Sequence, residues 1–400
     1  MALKIEDEKI VGTIDNLEEK LEGKLPVTRE ELLVLVNSWG RKTTFSTKDS
    51  QNKDIDIKSC EAKECYDLSK LDVSEITNMS SIFRSSNFNG DISNWDTSSV
   101  TNMYFMFYKA EKFNQPLNFD TSNVTGMESM FDYATSFNQP LNFDTSSVTS
   151  MKCMFSEATN FNQPLNFDTS NVTDMGYMFS GAEEFNFPLN FDTSKVKNMY
   201  SMFFEAKSFN QLLNFYTSNV KDMSYMFYEA RSFNQPLNFD TRKVTSMYSM
   251  FMKANNFNQP LNFDTSNVTS MYRMFLKANK FNQPLNFDTS NITCMENMFY
   301  CAESFNQPLN FDTSNVTNMK SMFYNARAFL DRYNNGASLP DKTEDIKEWI
   351  NINRDRMNAI DVKENQGKDI TDIHSMNRIG LHDDFFTNIT NLRQQINKNI

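Results

Sequence analysis

An aspartate that recurs every 24 residues is the side chain with the clearest chemical potential in this chain. Most copies are followed by Thr-Ser, which is typical of an Asx turn or a helix N-cap. We expect each carboxylate to accept backbone N–H bonds from its own turn, because closely spaced carboxylates otherwise repel one another. The row could instead hold Ca²⁺, which takes several oxygen ligands. Tyr216 interrupts the row. The candidate turn caps are Asp96, Asp120, Asp144, Asp168, Asp192, Asp240, Asp264, Asp288 and Asp312.

Tyrosines gather at the most variable positions of the repeat, after its first methionine and after its Met-Phe pair. Tyrosine supplies a large contact area with little loss of side-chain entropy, so this stripe is a candidate surface for a protein partner. The alternative is a layer of half-buried rings that only covers the core. The candidate partner-binding residues are Tyr104, Tyr108, Tyr200, Tyr228, Tyr248, Tyr272, Tyr300 and Tyr324.

Little in the sequence indicates catalysis. The two histidines, His374 and His382, both lie in the C-terminal tail. There is no Cys/His metal spacing and no phosphate-binding glycine loop, so we expect no enzyme activity, cofactor or metal. The formal charge of −12 argues against nucleic acid as a partner. No run approaches 18 apolar residues, so we expect no membrane insertion.

The elements that position these residues come from one repeated unit. Phe113–Ser136 reads FNQPLNFDTSNVTGMESMFDYATS, and closely similar units follow at intervals of 24 residues. Its M-x-x-M/I-F signature occurs eleven times between Met79 and Phe323. A proline precedes the Leu-Asn-Phe segment of each full unit except one, where Leu212 replaces it. A single unit cannot close a core, but stacked units can, so the pattern predicts a repeat solenoid.

The spacing of apolar residues predicts two elements in each turn. Leu117 and Phe119 alternate with polar residues, which is the period of a strand. Val124, Met127 and Met130 lie three residues apart, which favours a helix. We therefore expect a leucine-rich-repeat-like turn with one short parallel β-strand and one short α or 3₁₀ helix. Proline should mark the start of each strand, because it cannot donate to a ladder.

Three regions follow from these patterns: an N-terminal helical cap and loop (1–64), a solenoid of about eleven turns (65–336), and a helical C-terminal segment (337–400). Thr28 and Glu31 form a capping-box pattern that begins a helix ending near Ser38. Its apolar stripe should cover the first turn of the stack, and residues 46–64 read as loop. C-terminal helices are expected at 343–359 and 384–397.

The motifs FNGDISNWDTSSVTNM and FNQPLNFDTSNVT, with the lead-in VTREELLVLVNSWG, resemble the BspA-like leucine-rich-repeat surface protein family. The repeats of that family also occur as a mycoplasma-type domain of unknown function. The resemblance covers roughly residues 65–330 and implies a solenoid displayed at the cell surface or secreted, which adheres to host matrix or cell-surface proteins. The first residues of this chain do not form a signal peptide. A cytoplasmic scaffold that binds an unknown partner is therefore the alternative.

Overall fold

The computed structural model describes residues 4–6, 9–11, 14–39, 43–48, 54–60 and 67–366. Contacts divide the chain into two compact units, Met1–Asn351 and Ile352–Ile400. The division therefore falls inside the last described helix. Both histidines and the helix expected at 384–397 lie outside the described residues.

Two short antiparallel hairpins lie in the N-terminal region. Strand β1 (Lys4–Glu6) pairs with β2 (Lys9–Val11), and β3 (Thr43–Lys48) pairs with β4 (Asp54–Cys60). The sequence analysis predicted loop over residues 46–64. This prediction is wrong for residues 46–48, which end β3, and for residues 54–60, which form β4. In β4 the β-branched residues Ile55 and Ile57 alternate with polar residues, a pattern that suits pleated backbone better than loop.

Helices α1 (Leu17–Leu21) and α2 (Arg29–Ser38) follow the first hairpin. The predicted capping box forms at α2: the Glu31 N–H donates to Thr28 Oγ1 at 3.2 Å, and the Thr28 N–H donates to Glu31 Oε2 at 2.9 Å. The Arg29 guanidinium donates to the Ser80 carbonyl of the first turn at 2.6 Å. The buried side chains of α2 are Leu32, Val34, Leu35 and Val36.

The repeats stack as a solenoid, but each turn is built differently from the prediction. Between a 3₁₀ turn (Leu68–Lys70) and helix α3 (Arg327–Asn334) there is no α-helix and no extended strand. Successive turns are joined instead by isolated parallel bridges, such as Leu117 with Leu141. No ladder extends along Leu-Asn-Phe-Asp; the Asp120 carbonyl accepts the Thr97 hydroxyl of the preceding turn at 2.9 Å.

The segment expected to be helical is a chain of tight turns. Alternate N–H groups cross to the next turn: Phe105 donates to the Glu128 carbonyl at 3.0 Å, and Phe107 to that of Met130 at 2.9 Å. The intervening residue Met106 donates three residues back, to Met103, at 3.2 Å. A continuous i to i−4 ladder cannot form when every second donor is used between turns.

Two residues in each turn adopt the left-handed conformation, four residues apart, and nearly all of them are not glycine. Ser249 is one of them, with φ of 52°. Its hydroxyl is buried and has no hydrogen-bond partner. Left-handed backbone costs an L-residue about 1–2 kcal/mol, because its Cβ crowds the following carbonyl.

Replacing Ser249 with glycine is therefore expected to raise the free energy of unfolding by roughly 0.5–1 kcal/mol, after the larger unfolded-state entropy of glycine is counted. Urea denaturation measures it. The Ser249→Ala variant removes the same hydroxyl but keeps the Cβ, so it should be less stable than the glycine variant. An alanine variant at least as stable as the glycine variant would contradict the argument.

Two columns of phenylalanine fill the interior of the stack. In one column Phe107 and Phe131 lie 5.4 Å apart with parallel rings; in the other, Phe113 and Phe137 lie 6.0 Å apart. Within one turn the two columns touch, with 4.2 Å between the Phe107 and Phe113 centroids. All four rings are fully buried. Each ring therefore packs on equivalent rings in both neighbouring turns, as the repeat pattern predicted.

Polar columns run beside the phenylalanines. The buried hydroxyl of Thr217 donates to the Asp240 carbonyl of the next turn at 3.0 Å, and equivalent threonines do the same along the stack. The side-chain carbonyl of Asn210 accepts the N–H of Asn234 at 2.9 Å and an amide N–H of Gln235 at 3.2 Å. Asn210 directly follows Phe209, the first residue of its unit. It is a different position from Asn214, the asparagine of the Leu-Asn-Phe segment.

Helices α3 (Arg327–Asn334) and α4 (Thr343–Gln366) follow the last turn. Phe329 of α3 ends the second phenylalanine column, 6.0 Å from Phe305. Trp349 of α4 lies 5.9 Å from Phe329, and the Thr343 hydroxyl accepts the Met319 N–H at 3.0 Å. The start of α4 thus covers the last turn. Helix α3 was not predicted, because it begins within the repeat pattern.

Candidate binding surface

Half-buried aromatic rings line one side of consecutive turns in the middle of the stack. We call this surface the aromatic face, and its residues are Tyr177, Tyr200, Phe204, Tyr225, Tyr228, Tyr248 and Tyr272. They occupy the variable positions at which the sequence analysis placed the tyrosine stripe. The tight turns hold these positions, so their backbone is fixed by bonds to both neighbouring turns.

The first row of the aromatic face is continuous over five turns. Ring centroids are separated by 5.2 Å between Tyr177 and Tyr200, and by 5.6 Å between Tyr200 and Tyr225. The separations are 4.9 Å from Tyr225 to Tyr248 and 4.6 Å from Tyr248 to Tyr272. Ring contacts of this kind contribute about 0.5–1.5 kcal/mol beyond their buried area, so the row is held rigidly.

A second, shorter row lies beside the first. Phe204 stacks on Tyr228 with 4.4 Å between centroids and 6° between ring planes. Tyr225 joins the two rows, since its ring lies 5.9 Å from that of Tyr228. Phe204 was missed in the sequence analysis, which counted only tyrosines at these positions. Counting all aromatic residues at the variable positions would have found it.

Two cations lie on the aromatic face. The Arg273 guanidinium is 4.6 Å from the Tyr272 centroid, and the Lys253 ammonium is 5.3 Å from that of Tyr228. Lys253 also pairs with Glu229 at 2.8 Å. These pairs place charged groups at the edge of an apolar surface.

The hydroxyls of Tyr200 and Tyr225 remain protonated at neutral pH. Burial raises the pKa of Tyr200 to about 12, and burial together with the Tyr248 hydroxyl raises the pKa of Tyr225. A phenol with a raised pKa is a hydrogen-bond donor and not a base or nucleophile at neutral pH. The chemistry that this arrangement supports is contact and hydrogen bonding.

The remaining tyrosine candidates do not join the aromatic face. Tyr108 lies in an N-terminal group, 6.2 Å from Tyr133, with the Arg84 guanidinium 4.7 Å from its ring. The ring of Tyr104 covers Gly126 in the next turn, where a Cβ would lie 2.6 Å from it.

Near the C-terminal end, Tyr300 stacks on Tyr324 at 4.7 Å, and Tyr324 is 58% exposed. Both line a cavity of about 730 Å³ together with Arg327 and Asp341. The eight candidates are therefore divided among three places along the stack.

Every aspartate of the candidate turn-cap row accepts a hydrogen bond from the backbone N–H two residues later, at 2.9–3.2 Å. The Ser122 hydroxyl and N–H lower the pKa of Asp120 in this way. The Arg242 guanidinium lowers the pKa of Asp240 to about 2. The turns that these residues close lead into no helix. Among the described residues, no group of three or more His, Cys, Asp or Glu is arranged to hold a metal ion.

Asp132 differs from these aspartates because it is buried. It occupies the position held by Ser156 and Ser180 in the next two turns. Its side chain is 8% exposed, and Oδ1 accepts no hydrogen bond from the described residues. Burial raises the pKa of this carboxyl from its ordinary value of 3.8 to about 6.

Replacing Asp132 with serine is expected to stabilise the protein at pH 8 by roughly 1–3 kcal/mol. The pKa of Asp132 is higher in the folded protein than in the unfolded chain, so protonation favours folding. This stabilisation is complete below about pH 4 and is lost as the pH rises through about 6. The gain should therefore shrink between pH 8 and pH 4, as measured by urea denaturation at both. Asp144→Ser, which removes a carboxylate with a lowered pKa, should destabilise at pH 8 instead. A gain that does not change with pH would refute the assignment.

Within the described part of the chain, no helix is long and apolar enough to cross a membrane. No curated protein and no solved structure matches the sequence. One family description does match, in four overlapping segments: 51–166, 141–238, 165–259 and 237–336. Together these segments span the whole stack and more than half of the chain. The chain therefore belongs to the repeat family described as Mycoplasma protein of unknown function, DUF285.

Proposed function

We propose that this protein is a non-catalytic repeat module that binds a protein partner through the aromatic face. The observation that carries the proposal is the continuous row of five tyrosines on backbone held by both neighbouring turns. Rigid aromatic side chains lose little entropy on binding, and tyrosine is enriched where binding energy concentrates. The cations beside the rings add polar contacts at the rim of such a surface.

The resemblance to BspA-like leucine-rich-repeat surface proteins supports a more specific proposal. In this proposal the module is exposed at the cell surface or secreted, and its partner is a host matrix or cell-surface protein. Stacked turns suit adhesion, because a repeat array presents an extended surface without a large single core.

The test is binding of the full chain to immobilised matrix proteins from a basement-membrane extract. A triple variant with Tyr200, Tyr225 and Tyr248 replaced by serine should bind at least about tenfold more weakly, since several rings that anchor the contact are lost. Serine already occupies equivalent positions in other turns, so the fold should persist.

The matched control replaces with serine Tyr108 of the N-terminal aromatic group and Phe105, whose ring lies 5.7 Å from that of Tyr108. This control should bind as the unmodified protein does. Equal binding by the triple variant would reject the aromatic face as the site. If the unmodified protein does not bind and is recovered only from the cytosol, adhesion is excluded and a cytoplasmic scaffold is the remaining function.

A further inference from the structure

The corner of each turn, the segment from the row aspartate to the first methionine, has almost the same sequence throughout the stack. It reads Asp-Thr-Ser followed by Asn or Ser, Val or Ile, and Thr in seven of ten copies. The other three copies are consecutive, and they contain every lysine and arginine found in these corners between residues 96 and 319. These exposed basic residues are Lys195, Lys197, Lys221, Arg242 and Lys243.

Apolar replacements occur in the same part of the stack. Leu212 takes the place of the repeated proline and is 47% exposed; Tyr216 takes the place of the repeated aspartate and is 69% exposed. Buried Leu213 and Phe215 alternate with them, so both point outward from one turn. One turn earlier, Phe187 replaces the glutamine that precedes the proline in most units, and its side chain is half-buried.

These replacements have no evident role in holding the turns together. Tyr216 cannot cap the corner as an aspartate does, yet its carbonyl still accepts the Thr193 hydroxyl at 3.0 Å. Leu212 leaves the bridge from Leu213 to Leu237 in place. The backbone here therefore follows the repeat, while the side chains depart from it in charge and in polarity.

The lysines leave their charge available to a partner. Lys195 and Lys243 donate to the side-chain carbonyls of Asn171 and Asn219, both at about 2.8–2.9 Å, which neutralises no charge. Arg242 is the exception, because it pairs with Asp240 at 2.6 Å. The three corners carry these five basic residues against Asp192, Asp222 and Asp240, so their net charge is +2 in a chain with a formal charge of −12.

We propose that this basic corner patch, formed by Leu212, Tyr216 and the five basic residues, binds an acidic polypeptide segment that carries apolar side chains. An exposed apolar centre beside a charged rim is the anatomy of a protein–protein contact. The lysines attract carboxylates and speed association, while Leu212 and Tyr216 supply apolar contact. A nucleic-acid site would use several exposed rings for base stacking, whereas this patch exposes one tyrosine.

The patch shares no residue with the aromatic face, so the two proposals can fail separately. The probe is a random copolymer of glutamate and tyrosine, and its binding to the full chain is measured by fluorescence anisotropy in physiological salt. Polyglutamate, heparin and single-stranded DNA are measured in parallel.

Two variants restore residues that other turns already carry. The first combines Leu212→Pro with Tyr216→Asp, and the second combines Lys195→Asn, Lys197→Thr, Lys221→Thr and Lys243→Asn. Each should bind the copolymer roughly tenfold or more weakly, and the second should also reduce the dependence on salt. Unchanged circular dichroism and melting temperature would establish that both variants fold.

The charge-matched control replaces Lys109, Lys152, Lys277 and Lys320 with serine, which removes as many lysines outside the corners. This control and the aromatic-face triple variant should bind the copolymer within about twofold of the unmodified chain, since neither changes the patch. The proposal is overturned if the copolymer does not bind, or if the patch variants bind it normally. It is also overturned if heparin or DNA binds as tightly as the copolymer and the Leu212/Tyr216 variant has no effect.

Discussion

Replacing Phe227 with alanine is expected to lower the free energy of unfolding by roughly 3–5 kcal/mol. The ring is fully buried and lies in the middle of its column, 5.7 Å from both Phe203 and Phe251 and 4.2 Å from Phe233. Its removal leaves a cavity that opens toward both neighbouring turns, and the backbone cannot close it because each turn is bonded to the next. Urea denaturation followed by circular dichroism measures the loss.

The control for this variant is Asn214→Ala on the exposed surface, which should change stability by less than about 0.5 kcal/mol. The loss of stability in Phe227→Leu should lie between those of Phe227→Ala and Asn214→Ala, since leucine keeps part of the apolar volume. The unfolding transition of Phe227→Ala can also become broader, because a weakened interface lets the two parts of a stack unfold separately. A loss below about 1 kcal/mol would mean that the rings do not pack as described.

Replacing Ile350 with aspartate is expected to cost several kcal/mol, because it places a charge where no solvent reaches. Ile350 is fully buried, one residue after Trp349, which contacts Phe329 at the end of the column. Lys347 on the same helix donates to the Val316 carbonyl at 3.0 Å. Losing this helix end would expose apolar surface of the last turn to water.

Proteolysis and hydrogen exchange would locate the effect of Ile350→Asp. The last turns should lose protection first, while turns in the middle of the stack keep theirs, because each turn contacts only its neighbours. Glu348→Ser, on the exposed side of the same helix, is the matched control and should leave protection unchanged. Uniform loss of protection along the whole stack would contradict a local capping role for α4.

The stacking of turns could be predicted from the sequence, whereas the backbone within a turn could not. Phe107 and its equivalents recur at one interval, and only stacked copies bury them, so the solenoid follows from the hydrophobic effect. Met103 and Met106 are spaced as on a helix, yet the N–H of Phe105 between them bonds to the next turn. Apolar spacing indicates which side chains face inward, but it does not distinguish a helix from successive tight turns of similar period.

The sequence indicated which positions of the repeat carry the aromatic rings, but not which rings contact one another. The variable positions carry the half-buried rings of the aromatic face. The place of a ring also depends on the size of its neighbours: Gly126 leaves room for the ring of Tyr104, which a Cβ at that position would meet at 2.6 Å. Such contacts depend on pairs of residues 22 to 25 positions apart and become visible only when the turns are placed in register.

The constant spacing of the phenylalanine columns has a consequence for inheritance. Since each turn presents the same faces to the turn before and the turn after, the loss or duplication of one whole 24-residue unit leaves every remaining junction unchanged. We therefore expect the fold to tolerate a gain or loss of sequence that is a multiple of one unit. Such a change would alter the length of the stack in whole turns and leave the contacts at its two ends as they are.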